Sequence, residues 1–196
     1  MRIGIAVGVL LIAGCASSVP LRYYTLSEVT SEAATTSGAP AIRVGRVRIP
    51  AELDRSEIVQ RLDANRVRIS EQDRWAAPLD EMIRRVLSAN LLSRAANQQP
   101  ATLSVDIDEL MGDTNCAVTL KASWQSKTAA SGAADTTTQD RGSAPVDPQS
   151  ARARAASGYE VIRIPPAGGS CSIAALPQQM SKALAELADR IVTARR

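Results

Sequence analysis

The sequence predicts an α/β fold of the α+β kind: a mixed, largely antiparallel sheet with two amphipathic helices packed on it. Three observations carry that prediction. Short runs of alternating apolar and polar residues recur along the chain, two segments alone carry helical spacing, and the order of elements is four strands, a helix, three strands and a helix. That order departs from the strict strand–helix alternation of a doubly wound sheet.

Leu21 to Leu26 (LRYYTL) has strand composition. Ile42 to Ile49 alternates, with Ile42, Val44, Val47 and Ile49 apolar and Arg43, Arg46 and Arg48 between them. Gly45 breaks the phase, which predicts a bulge, and Pro50 ends the strand. Ile58-Val59 and Val67 to Ile69 are short strands joined across the turn residues Asp63-Ala64-Asn65. From about Trp75, apolar residues fall at Trp75, Leu79, Met82, Ile83, Val86, Leu87 and Leu91, a single broad helix face. Asp73 is placed to cap this helix, and Pro78 falls in its first turns. Leu103, Val105 and Ile107 alternate with Ser104, Asp106 and Asp108, and Ala117 to Trp124 alternates again through Val118, Leu120 and Ala122. Val161 to Ile164 is a last strand, stopped by Pro165-Pro166. A helix from about Ala174 to Thr193 carries Leu176, Met180, Leu184, Leu187 and Ile191 on one stripe.

Composition narrows the chemistry. Among 196 residues, 45% are apolar and 22% charged, which describes a globular chain able to bury a core. There is no His, which removes the commonest general base, the familiar catalytic triads and most zinc sites. No GxSxG or phosphate-cradling glycine loop is present, and Gly168-Gly169 has no Lys after it. The sequence therefore points to no catalytic residues and no cofactor. The net charge of +3 is small, and the 20 arginines are scattered, so nucleic-acid binding is not indicated. Asp106, Asp108, Glu109 and Asp113 lie close enough to suggest a cation site. They lack the order of a calcium loop, and a solvated strand edge is the preferred reading.

The N-terminus is the most informative segment. Met1-Arg2 is followed by an uncharged stretch from Ile3 to Gly14, ending Ile12-Ala13-Gly14-Cys15. A basic start, an apolar core of roughly 7–15 residues and small residues at the cut are the pattern of an export signal. At this length the stretch is too short to span a bilayer permanently. Cys directly after Ala-Gly resembles a bacterial lipobox. This predicts a lipoprotein signal peptide over residues 1–14 and acylation of Cys15. By the sorting rule for such lipoproteins, Ala16 in place of Asp predicts transfer to the outer membrane, where the chain would face the periplasm. The alternative is an ordinary signal peptide with an incidental Cys.

Export changes the reading of the two other cysteines. Cys116 and Cys171 remain as an even pair in an oxidising compartment, so a disulfide is expected, against the alternative of two free buried thiols. With no CxxC and no His, a metal site is not expected. Residues 15–40 then form the lipidated N-terminus, with a short strand and a small, polar linker from Ser31 to Pro40. Residues 41–196 form a single domain. Within it, residues 126–158 are rich in Ala, Ser, Thr, Asp and Gly and are predicted to be a mobile polar loop that could order on a partner.

Ile49-Pro50, Leu53-Asp54-Arg55, Ile58-Val59, Arg61, Asn65, Val67 and Ile69 form one block with Arg74-Trp75, Pro78-Leu79, Arg85-Val86-Leu87 and Asn90-Leu91. This block resembles the PqiC-type, or ABC-type transport auxiliary, lipoproteins. Tyr23-Tyr24-Thr25-Leu26 soon after the lipidated Cys and the C-terminal helix extend the resemblance over nearly the whole mature chain. The family's compact strand-like sequence is lacking at 126–158. The resemblance implies a non-enzymatic subunit of an intermembrane lipid transport system. Its implied partners are a periplasmic MCE-domain protein and that protein's inner-membrane partner, with lipid as cargo and a homo-oligomeric ring as a fitting assembly. A structural envelope lipoprotein without a lipid path is the alternative. The partner-binding surface is not legible from the residues. Arg61 and Arg74 read as structural, pairing with carboxylates such as Glu57 and Asp73, and Trp75 reads as core.

Overall fold

The computed structural model describes residues 19–29, 42–95, 99–128, 155–166, 168 and 171–195. Among these residues, seven strands form one open mixed sheet: β1 (Arg22–Tyr24), β2 (Ile42–Arg48), β3 (Glu57–Arg61), β4 (Val67–Trp75), β5 (Ala101–Gly112), β6 (Val118–Thr128) and β7 (Ala155–Ile164). Helix α1 (Leu79–Arg94) follows β4, and α2 (Leu176–Ala194) follows a short 3-10 turn at Ile173–Ala175. The strand order is β1-β4-β3-β5-β6-β7, with β2 beside the first half of β5. The long ladders β5–β6 and β6–β7 are antiparallel, as is β3–β4, whereas β1–β4, β2–β5 and the bridge between β3 and β5 are parallel. Fold class and element order are those the sequence predicts.

Alternation explains the layering. Leu103, Val105 and Ile107 of β5 and Leu120, Ala122 and Trp124 of β6 are buried, while Ser104, Ser123 and Gln125 between them are more exposed. One face of the sheet thus carries the apolar set, and α1 and α2 pack on it and on each other. The helix stripes supply the other half of the core: Met82, Ile83, Val86, Leu87 and Leu91 from α1, and Met180, Leu184, Leu187 and Ile191 from α2. Leu176 seats on Gly112, where a side chain on β5 would collide with it. Gly45 lies where the β2–β5 register shifts between Val44 and Val47, so the predicted bulge is present.

Three expectations need correction. The first helix begins at Leu79, not at Trp75: Pro78 is extended at φ −51°, ψ 131°, and Ala77 before it is disfavoured from helical geometry. Trp75 instead ends β4, where its N–H donates to Ser56 O at 2.6 Å and its ring is buried. Asp73 is therefore a strand residue and not a helix cap.

The third correction concerns residues 126–158. Ser126–Thr128 extend β6, and Ala155–Gly158 begin β7, in register as Ser126↔Ala156 and Lys127↔Ala155. Small residues suit that ladder because a large neighbour fills the space they leave. Gly158 lies opposite Trp124, and a Cβ on it would come within 2.8 Å of the indole nitrogen. The central part of the predicted loop, 129–154, lies outside the described residues.

Candidate functional site

Cys15, the lipobox-like run before it and the predicted Ser31–Pro40 linker lie outside the described residues, which begin at Val19. β1 pairs in parallel with β4, Arg22 beside Asp73 and Tyr24 beside Trp75, which makes β1 an edge strand of the same sheet. Beyond it, Leu26 enters the core. Ser27 N–H donates to Ser181 Oγ at 3.1 Å and Val29 N–H to Asn90 Oδ1 at 3.2 Å, which pins the segment across both helices.

The attachment of β1 centres on Asp73, whose side chain is 3% exposed. Arg22 donates to both its oxygens, at 2.7 and 2.9 Å, and Tyr24 Oη donates at 3.0 Å. Ser70 Oγ donates at 2.7 Å and accepts from the Asp73 N–H at 3.0 Å. A buried carboxylate is tolerated because its lone pairs are so fully occupied. The hydrogen bonds from Arg22 hold its carboxyl below the usual carboxylate range, against the opposing effect of burial, and Ser70 and Tyr24 add to them. Burial, then the bond to Asp73, pushes the Tyr24 phenol up. This cluster escaped the sequence reading. The one available signal was a Ser three residues before an Asp, the spacing of a local side-chain-to-backbone turn.

A second junction ties the β5–β6 turn to the start of α2. Asp113 Oδ1 accepts from the N–H groups of Asn115 and Ala117 at 2.8 and 3.0 Å. Cys116 takes φ 63°, a left-handed conformation uncommon outside glycine. Cys116 and Cys171 are joined by a disulfide, with Cα atoms 5.3 Å apart. Gln60 Nε2 donates to Asp113 O at 2.9 Å, which brings β3 into the same junction.

The open face of the sheet is built from cross-strand pairs. Arg48 pairs with Asp106 across β2 and β5, and Glu109 receives both Arg61 at 2.9 Å and Lys121 at 2.8 Å. Asp106 is held low mainly by the bond from Arg48, and Lys121 is held high by Glu109. Arg74 lies 3.3 Å from Glu57, as the sequence suggested, whereas Arg61 and Asp73 have found other partners. The acidic group at 106–113 is dispersed into these pairs and the Asp113 turn. Among the described residues, no three His, Cys, Asp or Glu side chains converge as a metal site would require. The depressions along α1 and β4 are shallow and open, and no helix among the described residues is long and apolar enough to cross a membrane. The arrangement presents surfaces.

Residues 24–192 match the family model described as ABC-type transport auxiliary lipoprotein component. The intermembrane transport lipoprotein PqiC of Escherichia coli is 28% identical over 132 residues, covering 61% of this chain and 71% of that protein. PqiC of Shigella flexneri matches to the same extent. A crystal structure of an uncharacterized protein superposes with a TM-score of 0.64 at 16% identity, over 89% of this chain and 98% of the other. A Xanthomonas campestris protein superposes with a TM-score of 0.59 at 16% identity, over 87% and 92%. At that identity the two structures speak for the fold alone.

Proposed function

The chain belongs to the family of ABC-type transport auxiliary lipoprotein components, and from that premise we propose that it is an outer-membrane-anchored, non-enzymatic subunit of an intermembrane lipid transport system. The observation that carries this reading is the family match over residues 24–192 beginning nine residues after a lipobox-like Cys15. Residues 1–14 serve as the export signal, and the acyl chains on Cys15 hold the mature protein on the periplasmic side of the outer membrane. Several chains together make such anchoring stable.

The mechanism is positional. The anchor fixes one end, and a protein face receives a periplasmic MCE-domain partner linked to the inner membrane. The open face of β5–β6–β7, which carries no helix among the described residues, supports this role because side chains on it are already ordered by cross-strand pairs. Ordered groups lose less entropy when a partner binds them. A ring of copies would suit a tubular partner, since matched symmetry multiplies weak contacts.

Photo-reactive residues placed around the domain in cells test the reading. A cluster of crosslinks to one periplasmic MCE protein, with acyl label on the wild type and none on Cys15→Ala, is the expected result. A purified protein that binds no such partner and turns over a lipid ester would overturn it.

A further inference from the structure

Among the described residues, one group of exposed large apolar side chains lies around the β3–β4 hairpin, apart from Tyr159 and Val161 on β7. Leu62, Val67 and Ile69 lie in and beside the β3–β4 hairpin, exposed by 39%, 45% and 45%, and Val19 and Leu21 precede β1 at 59% and 46%. The hairpin has a rigid tip. Leu62 N–H donates to Arg66 O at 2.9 Å, and Asp63 Oδ1 accepts from the N–H groups of Asn65 and Arg66 at 3.0 Å each. Residues 62–69 are exposed throughout. Arg61 pairs with Glu109 and Arg66 with Asp63, whereas Arg68 bonds the neutral Gln60 side chain, so Arg68 is the arginine of this apolar surface whose charge no carboxylate partner balances in these pairs.

Topology puts the chain's upstream end at the same place. β1 runs parallel to β4, so the residues before Arg22 leave the sheet toward the start of β4, where the hairpin projects. Arg22 shares a shallow depression with Arg68 and Ile69. Cys15 lies only four residues before Val19, a reach of about 14 Å at full extension. An acyl group on Cys15 would hold that corner of the domain against the bilayer. β7, with exposed Tyr159, lies four strand spacings from β4 across the sheet, about 19 Å at normal strand spacing.

We propose that the β3–β4 hairpin, with Val19 and Leu21 beside it, rests on the phospholipid surface that holds the anchor, its apolar side chains at the interface and Arg68 toward anionic headgroups. The hairpin thereby sets which face of the domain points into the periplasm and leaves β7 free. This orientation rests on the reading of Cys15 as acylated. Basic and apolar residues together are the combination that lies in a headgroup layer.

The test uses the mature, acylated chain in vesicles of phosphatidylethanolamine with a minority of phosphatidylglycerol. A photo-reactive residue replaces Val67, Ile69 or Tyr159 in turn. Lipid adducts at positions 67 and 69 several-fold above those at 159 are expected. Val67→Asp, read by the probe at 69, should lower the adduct several-fold with palmitate labelling and melting midpoint unchanged. Wild-type chain that takes up no palmitate would overturn the anchoring reading and this orientation with it. Acylated chain whose probes at 67 and 69 are silent, match the probe at 159, or crosslink to a protein in whole envelopes instead of lipid would overturn the orientation alone.

Discussion

The sheet's two sides hold together by different means. On the β5–β6–β7 side, neighbouring strands are antiparallel and pair at ten or eleven positions, with one register shift in β5–β6 after Ile107, and they alternate buried with more exposed residues. On the β1–β4–β3 side, β1 contributes three paired residues, β3 and β4 pair at four positions, and Arg22 finds Asp73 across 51 residues of sequence. Both sides bury apolar area, through Ile58, Val59 and Trp75 on the second, and the second adds a polar cluster that fixes where an edge strand docks. Area is forgiving of local error, because each side chain adds its own increment. A buried charge cluster stands or falls as a unit.

The largest expected effect tests the first side. Trp124 is 2% exposed and lies against Gly158, so Trp124→Ala should destabilise by roughly 3–5 kcal/mol in chemical denaturation. Trp75→Ala at the end of β4 should cost a similar amount, roughly 3–5 kcal/mol, since that ring too is buried. A much smaller loss at Trp75 would show that the β4 margin leans on its polar cluster even more than its burial implies. The disulfide comes next. Cys116 and Cys171 close a loop of 55 residues, and replacing both with Ala should lower stability by about 4 kcal/mol on loop-closure grounds. Non-reducing peptide mapping of protein taken directly from the periplasm should recover the pair joined. Two freely alkylated thiols would reject the bridge.

Asp73→Ala probes the second side. It strips Arg22, Tyr24 and Ser70 of their common acceptor and should cost roughly 1.5–3 kcal/mol, the range for hydrogen bonds to a charged group. The pH dependence has a definite sign. Because Arg22 holds the Asp73 carboxyl below its ordinary value, the unfolded chain takes up that proton at a higher pH than the folded one. The contribution is complete above the unfolded value and is lost as pH falls through the folded one. Wild type should therefore lose more stability on acidification than Asp73→Asn does. Equal acid slopes would show that the cluster adds nothing to folding.

The same division decided what could be read from residues alone. Strict alternation in Leu103 to Ile107 and Val118 to Trp124 reports a sheet with one buried face, and helical spacing reports what covers it. Asp73 and Trp75 were misassigned because the helical period ran smoothly upstream through Pro78 into a strand. Periodicity carries no marker for where an extended segment hands over to a helix. Strand residues at Ser126–Thr128 and Ala155–Gly158 were hidden for a different reason: their place is set by backbone pairing and by the Trp124 ring, neither of which leaves an apolar pattern. The Arg22–Asp73 bond was beyond reach, since it depends on a parallel pairing that no local feature encodes. The lipobox-like run ending at Cys15 is legible without any fold, because the acylation proposed there would depend on sequence alone.

The smallest effect on stability is expected where function is proposed. Lys121 and Tyr159 stand on the open face of β6 and β7, Lys121 paired with Glu109 at 2.8 Å and Tyr159 exposed by 58%. Substituting either by Ala removes little buried area, and exposed ion pairs add little to folding, so the melting midpoint should stay where it is. Binding to an MCE partner should fall if this face is the dock, because a large exposed ring and an ordered charge are the kinds of group on which interface energy concentrates. The control is the hairpin: Val67→Asp should leave partner binding intact while changing how the chain lies on lipid. Loss of partner binding in Val67→Asp, with Lys121→Ala and Tyr159→Ala binding normally, would move the dock to the β3–β4 margin and reverse the roles assigned to the two sides of the sheet.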